Sequence, residues 1–353
     1  SWMHYGGLSD GWSTRSGRHE RYAKVLIVRQ QGKMQMGTRV AVVMDPIEKA
    51  KPEKDTTLAL MEAAARAGFE TWYLTLADLS IRSGRAYGRA RRVVVDASAR
   101  PFFRFVSEAE QAPLDGFDTI WMRKDPPFDV EYVVATYILE HAQAEGVLVV
   151  NDPQALRDAN EKVFTSWFPE LSPPTLITRS ADDIAGFRDE HRDIIIKPLD
   201  GMGGHGVFHV REGDGNFAVI VDLLTAGGTR YTMAQRFIPE IADGDKRIIL
   251  VDGEAMPYLL ARIPAAGQTR GNLAAGGRGE VRPLSARDFR IAEQVGPVLA
   301  GLGLTFVGLD VIGDYLTEIN VTSPTCVREI EAGSDAAIAD RFIAAVGDKL
   351  RGR

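Results

Sequence analysis

The sequence predicts a mixed α/β chain, in which a doubly wound parallel domain is followed by a two-part unit built on antiparallel sheet. Three observations carry this expectation. From Val40 to about residue 155, short apolar runs alternate with helical periodicities, the pattern of a parallel sheet. Beyond that point the order becomes strand, glycine-rich loop, strand, helix, strand, beginning in DIIIKPLDGMGGHG at 193–206. A late stretch, FVGLDVIGDYLTEINV, carries a Gly-Asp turn signal between two apolar runs and reads as a hairpin.

The elements follow in order. Residues 1–35 are rich in Gly, Ser, Arg and His without apolar periodicity and read as an extension outside the fold, ending just before Met36. VAVVM at 40–44 reads as a buried strand, a helix over 57–66 closes at Gly68, and 71–76 reads as a second strand. Residues 118–122 form a further strand, 130–145 a helix, 147–150 a strand, and a helix carries 156–164. In the second part, strands are expected at 194–196, 207–210 and 231–237, a helix at 217–224, and two short strands around Asp252-Gly253. A helix at 287–302, capped by Ser285, precedes the hairpin at 306–321, and a helix from about 334 to 350 ends the chain.

Composition narrows the function classes. The 353 residues suffice for two or three domains with real cores. Forty-two Lys and Arg against 48 Asp and Glu give a net charge of −6, so no nucleic-acid partner is expected and any phosphate affinity must be local. The single cysteine, Cys326, excludes a disulfide framework or a multi-cysteine metal site and points to a reducing, cytoplasmic setting. No apolar run approaches 18 residues, so no membrane span is expected.

Three groups of residues suggest chemistry. Lys197 ends the strand in DIIIKP, and Gly201, Gly203, Gly204 and Gly206 let backbone N–H groups close on an anion, although the spacing matches neither a P-loop nor a dinucleotide turn. In the hairpin, a three-residue loop of Gly313, Asp314 and Tyr315 would set Asp310 opposite Glu318, while Glu318 and Asn320 share a face. Oxygen donors without His or Cys suit Mg²⁺. Lys162, Arg247 and Arg262 each stand beside apolar runs, as cations placed to hold a polyphosphate would. Between Arg262 and Pro283 the chain is glycine-rich and polar, the composition of a lid over 263–278.

The stretches MRKDPPFD, NDPQALRDANEK, IIIKPLDGMGGHG, TRYTMAQRFIPEI, DGDKRIILVDGE, ARIPAAGQTRGNLAAGGRGE and FVGLDVIGDYLTEINVTSPTCVREIEA together resemble bacterial glutathione synthetases, a family of ATP-grasp ligases, from about Val40 to residue 335. The resemblance implies a Rossmann-like domain preceding the ATP-grasp fold at 36–155, a lid subdomain at 156–232 and a catalytic subdomain at 233–353. It implies ATP as cosubstrate with Mg²⁺ or Mn²⁺, γ-glutamylcysteine and glycine as substrates, and a homotetramer. Carried onto matching positions, Lys162 and Lys197 would bind the α- and β-phosphates under the Gly201–Gly204 loop. Gln235, Phe237 and Ile238 would meet adenine, and Asp245 the ribose. Asp310, Glu318 and Asn320 would hold two Mg²⁺, and Arg247 and Arg262 would stabilise the transferring phosphoryl group. Arg123, Lys124, Asp125, Ser323 and Thr325 would face the peptide, with Arg270 a handle on the lid. A D-alanine–D-alanine ligase, a glutamate-adding relative or a non-catalytic nucleotide sensor would share the nucleotide half. His205 and Cys326 are expected to have no chemical role.

Overall fold

Residues 37–265 and 276–353 are described by a computed structural model. Strand β1 (Arg39–Val43) is the centre of the first sheet, with β2 (Glu70–Leu74) and β7 (Thr119–Met122) parallel on either side and β8 (Leu148–Val150) beyond β7. Successive side chains of a strand face opposite ways. Val40 and Val42 therefore share a core with Leu58, Leu60 and Met61 of helix α1 (Thr56–Arg66), while Ala41 and Val43 pack with Tyr132, Ala135 and Leu139 of α2 (Val130–Ala144). Each helix starts on an aspartate cap: Asp55 accepts from the Leu58 amide at 2.8 Å and Asp129 from that of Tyr132 at 2.9 Å.

Two features depart from the expected pattern in this half. Between β2 and β7 the chain adds antiparallel strands: β3 (Leu79–Arg82), β4 (Arg85–Val95), β5 (Phe103–Phe105) and β6 (Glu110–Pro113), with β4 pairing β2. Their signal is a Ser83-Gly84 turn, both residues at positive φ (47° and 80°), followed by strict burial alternation through Tyr87, Gly88, Arg89 and Ala90. The helix expected over 156–164 is instead α3 (Pro153–Asp158), then a 3-10 turn at Val163–Trp167. Asn160 is the cause: its Oδ1 accepts from the amides of Lys162 and Val163, both at 3.0 Å, which ends the helical ladder and leaves Lys162 on an irregular segment.

The second sheet is wholly antiparallel, in the order β11 (Phe208–Val210), β10 (Ile194–Pro198), β12 (Thr232–Arg236), β9 (Thr175–Thr178). Helices α4 (Ala181–His191) and α5 (Phe217–Thr225) cover one face, where Ile184, Val221 and Leu224 bury Ile194 and Ile196. The third sheet runs β15 (Arg278–Pro283), β14 (Glu254–Ile263), β13 (Asp245–Val251), β16 (Phe306–Ile312), β17 (Tyr315–Asn320). The strands flanking Asp252-Gly253 are therefore long rather than short. Helices α6 (Ala286–Gly301), α7 (Val327–Ala332) and α8 (Ile338–Arg351) complete this half, so the last helix begins later than expected, and α7, not foreseen, precedes it.

The hairpin register is as expected but arises differently. Ile312 pairs with Tyr315 across a two-residue Gly313-Asp314 turn, and an irregularity between Asp310 and Val311 restores Asp310 opposite Glu318. Asn151, just after β8, ties the first and third sheets together. Its carboxamide donates to Phe306 O at 2.8 Å and Val321 O at 2.6 Å and accepts from the Phe306 amide at 2.9 Å.

Candidate active site

The register of the third sheet assembles a cluster of opposed charges. Asp245 lies opposite Arg262, Arg247 opposite Asp310, and Asp310 opposite Glu318, with Asp245 and Arg247 two apart on one strand face. Arg247 grips Asp310 bidentately, Nε to Oδ1 at 2.6 Å and Nη2 to Oδ2 at 3.1 Å. Arg262 Nη2 bridges Asp310 Oδ2 at 2.9 Å and Asp245 Oδ2 at 2.6 Å. Gly308 permits this layout, because a Cβ there would stand 3.0 Å from Cδ of Arg247.

The network fixes protonation states. Burial opposes the charge of Asp310, but Arg247 and Arg262 outweigh it and hold the carboxyl well below its ordinary range. At Asp245 burial wins over the pull of Arg262, and the carboxyl is pushed up to about 6. Burial would lower Arg262, yet Asp245 and Asp310 keep it well above its usual value and fully charged.

Two lysines approach this sheet from outside. Lys197 Nζ, near the end of β10, lies 3.5 Å from Glu318 Oε1, and Lys162 Nζ lies 3.8 Å from the same oxygen. Both lysines are buried, at 6% and 2% exposure. Lys162 also donates to the Gly201 carbonyl at 2.7 Å and to Glu161. Burial would discharge Lys162, but Glu318 and Glu161 together raise its pKa. Glu161 itself is raised by burial and by Glu318. No sequence signal in ANEK distinguished Glu161 from a surface glutamate.

The two lysines, Glu161, Asp245, Arg247, Asp310 and Glu318 line a cavity of about 1020 Å³ between the second and third sheets, whereas Arg262, turned to Asp245 and Asp310, is not among its lining residues. Its roof is the loop of Gly201, Gly203 and Gly204, the latter two at φ of 63° and 77°, a backbone turn that L side chains resist. His205 closes on its own loop, with Nδ1 3.1 Å from Met202 O. At the far end Gln235, Phe237 and Ile238 line the wall. Phe237 stacks on His209 at 4.0 Å and 16°, and His209 Nε2 is 3.0 Å from Asp193 Oδ1, a support the sequence did not reveal. Gln235 turns its amide to the Thr175 hydroxyl at 3.0 Å.

Asp310, Glu318 and Asn320 all line the cavity. Among the described residues no three His, Cys, Asp or Glu side chains gather to hold a metal ion, and both oxygens of Asp310 already accept from arginines. A cage made wholly of protein ligands is therefore not the arrangement. The donors suit a divalent ion that keeps water and phosphate oxygens, and the buried Asn320 amide nitrogen and Asp245 Oδ1 have no hydrogen-bond partner.

A smaller cleft of about 340 Å³ holds the other predicted group, with Arg123, Asp125, Ser323 and Thr325 in its lining. Arg123 is 5% exposed, its Nε donating to Thr57 Oγ1 at 3.2 Å and its Nη2 to Pro324 O at 2.9 Å. Ser323 Oγ donates to Arg123 O at 3.2 Å. Lys124 lies beside the cleft, 3.0 Å from Asp45 Oδ1. Asp45, Asp55 and Thr57 also line it and were not foreseen. Thr325 accepts from Arg247 Nη1 at 3.5 Å, which links the cleft to the large cavity. Arg270 and the centre of the expected lid lie outside the described residues, as does the extension at 1–35.

Comparison with known proteins follows the same division. The profile of the prokaryotic glutathione synthetase N-terminal domain matches residues 38–157, and that of the prokaryotic glutathione synthetase ATP-grasp domain matches 161–335. A glutathione synthetase of Vibrio cholerae is 56% identical over 313 residues, covering 89% of this chain and 98% of the relative. One from Escherichia coli is 53% identical over 313 residues, covering 89% and 99%. Among solved structures, D-cycloserine synthetase DcsG superposes with a TM-score of 0.63 at 15% identity, over 88% of this chain and 99% of that one, a likeness of fold.

Proposed function

This chain belongs to the prokaryotic glutathione synthetase family, and on that premise we propose how its residues divide the work of an ATP-dependent ligase. The reaction joins γ-glutamylcysteine to glycine, giving glutathione, ADP and phosphate. Lys162 and Lys197 bind the α- and β-phosphates, the Gly201–Gly204 loop covers them, Gln235, Phe237 and Ile238 seat the adenine, and Asp245 meets the ribose. The cysteinyl carboxylate attacks the γ-phosphorus, the bond to ADP breaks, and an acyl phosphate forms. Arg247 and Arg262 offset the charge on the transferring phosphoryl group. The glycine amine, having lost its proton, then attacks the acyl carbon, and phosphate leaves. Asp310, Glu318 and Asn320 would hold Mg²⁺, or Mn²⁺ in its place, which when bound supplies further positive charge to the phosphate oxygens.

The observation that carries this reading is Glu318, one carboxylate within 4 Å of two buried lysines on the floor of a glycine-roofed cavity. Lys162 is also paired with Glu161, so the two lysines and two acids balance, and the support for the reading is the convergence of two buried cations on one point of the cavity wall, where phosphate oxygens would meet both. On the same footing we assign 36–155 to the peptide-facing domain, 156–232 to the lid subdomain and 233–353 to the catalytic subdomain. Among the described residues no helix is long and apolar enough to cross a membrane, and we place the enzyme in the cytoplasm as a homotetramer. ADP release tests the reading directly. Release should require both γ-glutamylcysteine and glycine; equal release with D-alanine as substrate, or with no acceptor, would replace it by another ligase or by a nucleotide sensor.

A further inference from the structure

We propose that Asp193 and His209 are positioning residues for the nucleotide, holding the Phe237 ring at the height and tilt on which the purine stacks without touching the nucleotide themselves. This rests on the ligase reading above, in which Phe237 is part of the adenine wall.

Phe237 needs such a support because it stands where the sheet runs out. Strand β12 ends at Arg236, opposite Ile194 of β10, and Phe237 is one residue beyond. Gln235 is still within the ladder, opposite Ile195, and ties its amide to Thr175. Alternation puts Gln235, Phe237 and Ile195 on the cavity face, away from the side on which helices bury Ile194 and Ile196. His209 of β11 pairs with Ile195 and so joins that face, yet it is absent from the cavity lining and its side chain is only 11% exposed. It stands behind Phe237.

Asp193 holds both rings. Its carbonyl accepts from the Phe237 amide at 2.9 Å, and its carboxylate Oδ1 lies 3.0 Å from His209 Nε2. An ionised carboxylate only accepts, so Nε2 carries the proton, and the imidazole is fixed in tautomer and in plane. That plane is passed on to Phe237, whose ring lies 4.0 Å away at 16°. A purine laid on Phe237 extends the stack to three rings. A histidine that merely packed would be felt in stability alone, whereas this one should be felt at the base and not at the phosphates.

The test measures binding of ADP and of inorganic tripolyphosphate, each with Mg²⁺, to the full chain, together with steady-state turnover of ATP. Tripolyphosphate can reach the lysines but has no base to stack. His209→Ala should weaken ADP and raise the KM for ATP about tenfold, the scale of one aromatic stack, while kcat and tripolyphosphate affinity stay within about twofold of wild type. His209→Phe keeps a ring there and should recover most of the loss. Asp193→Ala should cost about threefold on ADP, and Asp193→Asn, whose amide oxygen still accepts from Nε2, should restore wild-type affinity. Because the Asp193 side chain acts through the imidazole, Asp193→Ala should cost nothing further in the His209→Phe background. Unchanged ADP affinity in His209→Ala overturns the proposal. So does an equal loss of ADP and tripolyphosphate, the mark of a general disturbance of the site. Should His209→Ala not fold, the Asp193 pair decides, and equal ADP affinities for Asp193→Ala and Asp193→Asn overturn the proposal. A wild type whose ADP binding depends on His209 in this way, but which makes no tripeptide from γ-glutamylcysteine and glycine, overturns the ligase reading and leaves the stack standing.

Discussion

The large cavity and the small cleft hold their charges in opposite ways. Asp310 and Arg247 sit on adjacent strands with side chains 5% and 7% exposed, each fixed by the sheet register. Asp45 and Lys124 sit on turns, 42% and 19% exposed, held by each other and by the Asp125 backbone. Phosphoryl transfer needs charge that does not reorganise, and a sheet interior supplies it. Selection of one peptide needs residues that can differ between related ligases without disturbing a core, and turns at a sheet edge supply those.

If this contrast holds, the two regions must fail differently when a charge is removed. The largest effect is expected at Asp310→Asn, which leaves two buried guanidinium groups without their shared acid. Stability should fall by about 3–5 kcal/mol, whereas Asp45→Asn should cost less than about 1 kcal/mol. Denaturant midpoints measured on the two apo variants decide it, and equal losses would erase the distinction. Glu318→Gln comes next and separates function from fold within the cavity. Its kcat should drop by about 100-fold or more with an unchanged melting temperature, and wild-type turnover at limiting Mg²⁺ would remove Glu318 from the phosphate machinery.

A subtler effect concerns pH. Burial lifts the Asp245 carboxyl from 3.8 to about 6, so the folded state binds this proton more tightly than the unfolded chain does. The group therefore adds stability below about pH 4, and that contribution disappears as pH rises through 6. From pH 5 to 7 the wild-type unfolding midpoint should decline relative to that of Asp245→Asn, and parallel curves would refute the assignment. The smallest effect belongs to the cleft. Ser323→Ala should raise the KM for the peptide a few-fold, about what one neutral hydrogen bond contributes, and leave the KM for ATP alone. A larger change in the ATP constant than in the peptide constant would mean that the two sites are not separable at this residue.

Much of this was legible in the chain itself. Strand runs such as VAVVM and IIIK bury themselves whatever surrounds them, and a glycine-dense loop can adopt positive φ without help, so the sheets, the loop and the hairpin carboxylates follow from local pattern. Asp310 does stand opposite Glu318, although by a tighter turn with an added irregularity rather than a three-residue loop. The antiparallel extension at 79–113 leaves a local mark only in the Ser83-Gly84 turn, because the alternation that follows is one of burial and exists only in the folded sheet.

Other features had no local signal. That Asn160 breaks the helix before Lys162 depends on a side chain competing with the backbone, a balance that the polar run LRDANEK leaves open. That Glu161 is buried, that His209 backs Phe237, and that Asp45 meets Asp125 across 80 residues depend on which strands become neighbours. By itself the sequence determined the classes of residue brought to each sheet and the family to which the chain belongs, because these rest on periodicity and on motifs read along the chain. Only the tertiary structure decided which acid each cation serves. Charge pairing is a short-range interaction between residues far apart in sequence, and its partners exist only once the strand register has placed them within a few ångströms.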